Sequence, residues 1–144
     1  MNLDKYKKVG IDTNIFIYHF YSHLEFGPLV KDLFASLQAN KIKGITSAIT
    51  ITELLGFKEP AGSLRLLEEK FLTTPNLSIV DTSQTIALTG ARIRREYGFR
   101  TPDAIQLATA LVGGAKAFIT NDDEFDRFKE IDVLLLGEVK LKED

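Results

Sequence analysis

Short apolar runs alternate with longer segments of helical periodicity along the chain, and this alternation constrains the fold more than any other feature. The runs have the length and composition of buried strands and occupy residues 9–12, 43–46, 77–80, 116–120 and 133–136. The segments between them place apolar residues at helical spacing, as Leu29 and Leu33 do. Apolar strands separated by helices are typical of parallel sheets that are covered on both faces. We therefore predict an α/β fold: residues 1–144 form one domain, a three-layer α/β/α arrangement around a parallel sheet of about five strands.

Side chains that can cap a helix predict where the helices begin and end. A serine or threonine precedes most helical segments, because its hydroxyl accepts a hydrogen bond from a free backbone N–H group. The predicted N-caps are Ser47, Ser63, Ser83 and Thr101, the last with Pro102 at the first helical position. The predicted helix ends are Gly56, Gly98 and Gly113-Gly114.

Four acidic residues lie where this fold would bring them together: Asp12, Glu53, Asp103 and Asp122. Asp12 and Asp122 each end an apolar run, Asp103 opens a helix, and Glu53 lies in the helix that follows the second strand. The carboxyl ends of parallel strands and the amino ends of the following helices share one edge of a sheet. Carboxylates gathered there repel one another unless a divalent cation neutralises them. The pattern therefore predicts a site for a hard metal ion with oxygen ligands.

Each carboxylate also has a purely structural interpretation. Asp12 could cap the following helix, and an aspartate in a first helical turn, such as Asp103 or Asp122, favours the helix dipole. Glu53 is different, because it lies in a second turn beyond useful range of the dipole and is flanked by Leu54 and Leu55. We expect its carboxylate to point inward and to require a partner.

Composition limits the classes of partner. With 18 basic and 20 acidic residues the net charge is −2, so nucleic acid would have to be bound by a local basic patch and a metal ion. The sequence has no cysteine, which excludes thiol chemistry and fits a reducing compartment. It lacks the apolar segment of a signal peptide and any run long enough to span a bilayer. The expected location is the cytoplasm.

Four segments together resemble the motifs of the PIN-domain ribonucleases, and among these the VapC-type toxins of prokaryotic toxin–antitoxin pairs. The segments, in matching order and spacing, are VGIDTNI at 9–15, SAITITELLG at 47–56, TPDAIQLATA at 101–110 and FITNDDEF at 118–125. The resemblance implies that Asp12, Glu53, Asp103 and Asp122 are the catalytic and metal-binding acids. It also implies that Thr13, Asn14 and Thr120 support them. We prefer Asp122 to the neighbouring Asp123, because Asp122 directly follows Thr120-Asn121.

The same resemblance implies a cofactor, a reaction and partners. It implies Mg²⁺ or Mn²⁺, hydrolysis of RNA phosphodiester bonds, a homodimer and an antitoxin protein that binds the chain. The residues agree with that chemistry, because the chain has no cysteine and its histidines, His19 and His23, lie apart from the acidic motifs. We therefore expect in-line attack by a water molecule activated by the cation. The number of ions is left open.

Two further groups of side chains have competing interpretations. His19 and His23 have an i, i+4 spacing that can bind zinc, but their aromatic neighbours favour packing. Several arginines precede the third motif and are candidates for contact with RNA phosphates, although cations near a helix carboxyl end also complement its dipole. The predicted RNA-binding residues are Arg92, Arg95 and Arg100.

Two other functions remain open. One is a phosphatase that uses Asp12 as its nucleophile, but that class would need a second aspartate two residues later, where Asn14 stands. The other is a non-catalytic PIN-like interaction module that only binds ions or a partner. Retention of all four acids argues against such a module.

Overall fold

A computed structural model describes residues 3–137, and a parallel sheet lies at its centre. The strands are β1 (Lys8–Ile11), β2 (Lys43–Ser47), β3 (Leu77–Val80), β4 (Ala117–Thr120) and β5 (Asp132–Leu135). They pair in the order β3-β2-β1-β4-β5, and every pair is parallel. The predicted fold class, an α/β fold with five parallel strands, is confirmed.

Helices connect the strands. They are α1 (Thr13–Phe20), α2 (Gly27–Gln38), α3 (Ile49–Leu54), α4 (Ala61–Leu72), α5 (Gln84–Tyr97) and α6 (Thr101–Val112), with short 3-10 turns at Asp4–Tyr6 and Asp123–Arg127. Among residues 3–137, none of these helices has both the length and the apolar character needed to cross a membrane.

The sheet separates two hydrophobic clusters, because successive strand residues point to opposite faces. Val9 and Ile11 of β1 lie in the cluster that includes Phe16 of α1. Phe118 of β4 lies in the other cluster, with residues of α5 and α6 such as Ile93 and Leu107. The result is the expected three layers, with helices on both faces of the sheet.

Two predicted helix caps are confirmed in α5. Ser83 Oγ accepts a hydrogen bond from the N–H of Ile86 at 3.2 Å. At the other end, Gly98 has the left-handed φ of 77° that favours glycine.

The remaining predicted caps agree less well with the structure. Ser47 Oγ accepts from the N–H of Ile49 at 3.1 Å, although the residue before α3 is Ala48. Ser63 and Thr101 are wrong as N-caps: α4 begins at Ala61 and α6 at Thr101, so both side chains lie inside the first turn. Gly113 is the C-cap of α6, whereas α3 ends before Gly56, with Leu55 as its cap.

Candidate active site

The strand order reverses between β1 and β4. Strands β2 and β3 lie on one side of β1, and strands β4 and β5 lie on its other side. In open α/β sheets, ligands bind beyond the carboxyl ends of the strands at this reversal. Asp12 follows β1 directly and Thr120 ends β4. The fold therefore places the first and fourth sequence motifs side by side at the position where a binding site is expected.

Asp12 is held by its two neighbours at this edge. Its side chain is buried, with 8% of the residue exposed. Oδ1 accepts from the backbone N–H of Thr13 at 2.8 Å, and Oδ2 accepts from the hydroxyl of Thr120 at 2.7 Å. Thr120 Oγ1 in turn accepts from the backbone N–H of Asp122 at 3.0 Å. Thr120 thus links two of the predicted acids through one hydroxyl.

Burial and neighbouring acids make the ionised form of Asp12 costly. Burial raises the pKa of Asp12 to about 7, the hydrogen bonds from Thr120 and Thr13 oppose this rise, and the charges of Asp103 and Glu53 add to it. Three predicted acids, one after β1 and the others in α3 and α6, are therefore close enough to interact electrostatically. A bound cation would relieve this repulsion.

Asp103 interacts electrostatically with the fourth acid, Asp122, as well as with Asp12 and Glu53. Its side chain is 17% exposed, and its Oδ2 lies 3.5 Å from Nε of Arg100. Burial raises the pKa of Asp103, the Arg100 charge lowers it, and the charges of Asp122 and Glu53 raise it further. Asp122 is half-buried whereas Asp123 is exposed, which favours Asp122 as the fourth acid.

Glu53 does not point into the interior, and the expectation that it does is wrong. Glu53 is exposed, and the buried position beside it belongs to Leu54. Its carboxylate nevertheless lies at the site, because Oε1 accepts a hydrogen bond from the Thr13 hydroxyl at 2.8 Å. The partner that the structure shows for Glu53 is therefore a hydroxyl group of α1, whereas a metal ion as its partner stays a prediction.

Each acid is occupied by a local partner. Within residues 3–137, no three histidine, cysteine, aspartate or glutamate side chains converge closely enough to hold a metal ion. Glu53 is bound by Thr13, Asp103 lies beside Arg100, and Oδ1 of Asp122 accepts from the N–H of Glu124 at 3.0 Å. Changes of side-chain conformation would be needed to bring the carboxylates onto a common point.

The available donors nevertheless fit a hard divalent cation. All are oxygens, the ligands that Mg²⁺ and Mn²⁺ prefer. Within residues 3–137, Oδ1 of Asn14 is the one buried side-chain oxygen or nitrogen that lacks a hydrogen-bond partner. An unsatisfied buried acceptor beside Asp12 and Thr13 suits a cation or a water molecule bound to it.

Sequence reasoning missed a polar residue of α6. Gln106 is buried, with 3% exposed, and its amide contacts Thr13, Thr50 and Ser47. Its signal in the sequence is a single amide in an otherwise apolar stretch, one helical turn after Asp103. Such a residue needs buried partners.

The histidines are engaged in packing and turn formation. The His19 ring stacks on Phe34, with centroids 3.7 Å apart, and burial lowers the pKa of His19. His23 Nδ1 accepts from the backbone N–H groups of Glu25 and Phe26. These contacts favour the packing interpretation over a zinc site.

The predicted RNA-binding arginines differ in their ion pairs and in their exposure to solvent. Arg92 contacts Glu130 through both terminal nitrogens and Glu96 through one, at 2.8 to 3.0 Å. Arg95 is exposed, and Arg100 is exposed beside Asp103. Arg100 is therefore the arginine that the structure brings to the acidic edge.

Comparison with known proteins gives the chain a family and similar solved folds. The sequence model of the PIN domain matches residues 9–131. Among curated proteins, no sequence matches the chain. The chain resembles DNA-bound VapBC from Salmonella typhimurium (TM-score 0.70, 21% identity, 90% of this chain and 98% of that chain). It also resembles a toxin–antitoxin complex from Klebsiella pneumoniae (TM-score 0.65, 25% identity, 90% and 97%). A third similar structure is VapBC2 from Rickettsia felis bound to a promoter DNA fragment (TM-score 0.68, 19% identity, 88% and 96%).

Proposed function

The chain belongs to the PIN domain family, and from this premise we propose that it is a Mg²⁺- or Mn²⁺-dependent endoribonuclease. The observation that carries the proposal is the electrostatic coupling of the four acids. Asp12 interacts with Glu53 and Asp103, and Asp103 interacts with Asp122. A fold that keeps these repelling carboxylates at one edge gains stability when a cation binds there.

The residues of the chain have distinct roles in this proposal. Asp12, Glu53, Asp103 and Asp122 would hold the cation, and Asn14 would offer its free Oδ1 to the cation or to water. When bound, a divalent cation lowers the pKa of a coordinated water and offsets charge on the phosphate.

Hydroxyl groups prepare the carboxylates for this role. Thr120 fixes the orientation of Asp12, and Thr13 fixes that of Glu53. Both threonines are buried, so their geometry is set before a substrate arrives.

The nucleophile in this proposal is water. The sequence contains no cysteine, and His19 and His23 are engaged with Phe34 and with backbone amides. A phosphatase that uses Asp12 as its nucleophile is less well supported, because Asn14 stands where that class would need a second aspartate. Hydrolysis by water is therefore the reaction that this residue set supports best.

Exposed arginines are the proposed contacts with RNA phosphates. Arg100, which lies beside Asp103, is the first candidate, and Arg95, which is exposed on α5, is the second. Arg92 stays a weaker prediction, because its ion pairs with Glu96 and Glu130 would have to open before it could bind a phosphate.

We further propose that the chain is a cytoplasmic toxin that forms a homodimer and is inhibited by an antitoxin. Support comes from the similar folds found in toxin–antitoxin complexes. Exposed apolar side chains at the α1–α4 side of the molecule, Tyr21, Phe57, Leu66 and Leu72, are suited to a protein partner. An arginine or lysine of that partner could enter the acidic pocket in place of the cation. Light scattering of the purified chain, alone and with the product of a neighbouring gene, measures both assemblies.

Cleavage of an end-labelled structured RNA by purified protein tests the proposed reaction. We expect cleavage with Mn²⁺, none with EDTA, and a loss of at least about 100-fold in Asp12→Asn, the order of effect seen when one preorganised electrostatic contact is removed. Asp123→Asn is the matched control, because Asp123 is an exposed acid beside the site, and we expect it to cleave like wild type.

Two results would contradict the nuclease. Cleavage that persists in EDTA would exclude metal-dependent hydrolysis, and cleavage undiminished in Asp12→Asn would exclude this site. Binding of Mn²⁺ without cleavage of any RNA tested would favour the non-catalytic interaction module.

A further inference from the structure

Gln106 lies at the centre of a buried hydrogen-bond network behind the site. Its Nε2 donates to the hydroxyl oxygens of Thr13 at 3.2 Å and Thr50 at 2.8 Å. Its Oε1 accepts from the backbone N–H of Ser47 at 3.3 Å. The side chain therefore joins the beginning of α1, the end of β2 and helix α3 to α6, which carries Asp103.

The position of each hydroxyl hydrogen follows from the acceptors. Thr46 must donate to the carbonyl oxygen of Ile11 at 2.9 Å, since a carbonyl cannot donate. Thr50, 2.7 Å from Thr46, must then donate to Thr46. Thr13 donates to the carboxylate of Glu53 at 2.8 Å.

These directions leave two oxygens facing each other without a hydrogen between them. The hydroxyl oxygens of Thr13 and Thr50 are 3.2 Å apart, and both of their hydrogens are already used elsewhere. The two N–H groups of Gln106 supply the missing hydrogens, one to each oxygen. The amide is thus the group that keeps the Thr13 hydrogen available for Glu53.

The network also fixes the orientation of the amide. In the flipped orientation, Nε2 would meet the backbone N–H of Ser47, so that two donors would face each other. That contact would be repulsive, and the two threonine oxygens would lose both of their N–H donors. The orientation with Nε2 toward the threonines is therefore the one that satisfies every group.

We propose that Gln106 is a positioning residue: its amide obliges Thr13 to donate to Glu53 and so holds the Glu53 carboxylate at the site. Glu53 is exposed, and the Thr13 hydroxyl donates the hydrogen bond that supports its carboxylate. The consequence for metal binding rests on the proposed function, whereas the hydrogen bond itself does not.

The first test uses the metal-free protein and needs no RNA. We would record the carboxyl ¹³C resonance of Glu53 by NMR, assigned with Glu53→Gln, in Gln106→Met and Thr13→Val. We expect both variants to move this resonance in the same direction and to a similar position, and the double variant to move it no further. Thr109→Val is the matched control, because Thr109 is buried in the same helix but its hydroxyl bonds only to the carbonyl of Ile105.

A second measurement connects the hydrogen bond to the cation. Calorimetric titration with Mn²⁺ should show affinity reduced about 10-fold in Gln106→Met, the order found when a group that orients a metal ligand is removed. Thr13→Val and the double variant should show the same reduction, because both residues act along one path. Thr109→Val should bind as wild type does.

Gln106→Glu keeps the test decisive if the methionine variant does not fold. It preserves the shape of the side chain but replaces both donors by an acceptor, which would attract the Thr13 hydroxyl away from Glu53. An unchanged Glu53 resonance in a folded Gln106→Met or Gln106→Glu protein would overturn the proposal. Failure of wild type to cleave RNA would instead count against the nuclease, and the metal-free NMR result would still decide the role of Gln106.

Discussion

At the scale of single residues, the site places its least exposed carboxylate where ionisation costs most. Asp12 is buried at the strand reversal, whereas Glu53 is exposed on the rim. The capping interpretation of Asp12 is confirmed, because Asp12 is the N-cap of α1 and its side chain accepts from the N–H of Thr13. For Glu53 the local sequence misleads, because its apolar neighbours suggest a buried position. In the structure, Leu54 takes the buried position of α3 and Glu53 is exposed.

The raised pKa of Asp12 makes the stability of the metal-free protein depend on pH. In the unfolded chain an aspartate ionises near pH 3.8, whereas folded Asp12 ionises near pH 7. Between these values the folded state retains a proton that the unfolded state has lost. The contribution of Asp12 to stability is therefore fully present below pH 3.8 and is lost as the pH rises through 7. Asparagine does not ionise, so the Asp12→Asn variant does not lose stability in this way as the pH rises. We therefore expect the variant to gain stability relative to wild type, on the order of 2 kcal/mol, between pH 5 and pH 8.

Urea unfolding in EDTA at the two pH values measures this difference. Asp123→Asn is the control and should follow wild type at both, because Asp123 is exposed. If Asp12→Asn and wild type differ equally at pH 5 and pH 8, folded Asp12 is already ionised at pH 5 and the argument from burial fails.

At the scale of elements, the sequence predicts what local chemistry determines. The five strands are predicted because their apolar runs are long enough to be buried on both faces, and α5 because Ser83 and Gly98 mark its ends. The start of α6 is predicted wrongly, since Arg100 already has extended backbone and Thr101 is the first helical residue, with Pro102 tolerated in the first turn.

The hydrogen bonds of the site depend on contacts between distant parts of the chain. Gln106 and Thr13 are 93 residues apart, and Thr120 and Asp12 are 108 residues apart. Periodicity and capping patterns act over a few residues and cannot pair such groups. The acids were predictable because each follows a strand or opens a helix, whereas the network that orients them required the three-dimensional structure.

Two glycines with open surroundings allow the effect of backbone conformation on stability to be measured, one at the end of α5 and one within α4. An added Cβ would meet nothing within 4 Å at either Gly98 or Gly62. Gly98→Ala should destabilise the protein by about 1 kcal/mol, because φ is 77° and alanine is strained there. Gly62→Ala should stabilise it by about 0.5 kcal/mol, because Gly62 lies within α4. Chemical denaturation gives both values, and a Gly98→Ala protein as stable as wild type would show that the left-handed cap is not required.

At the scale of the whole molecule, the position of Asp103 depends on how closely α6 approaches the sheet. Gly10 lies in β1, the central strand, and a Cβ there would be 2.7 Å from the Cβ of Ala110 in α6 and 2.9 Å from Cδ1 of Phe118. Gly113 similarly allows Ile45 of β2 to contact the end of α6. The absence of side chains at these two positions lets the helix that carries Asp103 and Gln106 lie directly on the strand that leads to Asp12.

A pair of reciprocal substitutions tests this approach. Gly10→Ala should destabilise the protein by about 2 kcal/mol, because the added methyl group overlaps Ala110 in a packed layer. Ala110→Gly removes the overlapping methyl group but loses about 1 kcal/mol of helix propensity. The double variant should therefore lose less unfolding free energy than the two single variants lose in sum. Contact of the new methyl group with Phe118 prevents full recovery. Free energies of unfolding for the four proteins give the coupling energy directly. Strict additivity would mean that the sheet, rather than α6, moves to accept the new methyl group, and the position of Asp103 would then not depend on Gly10.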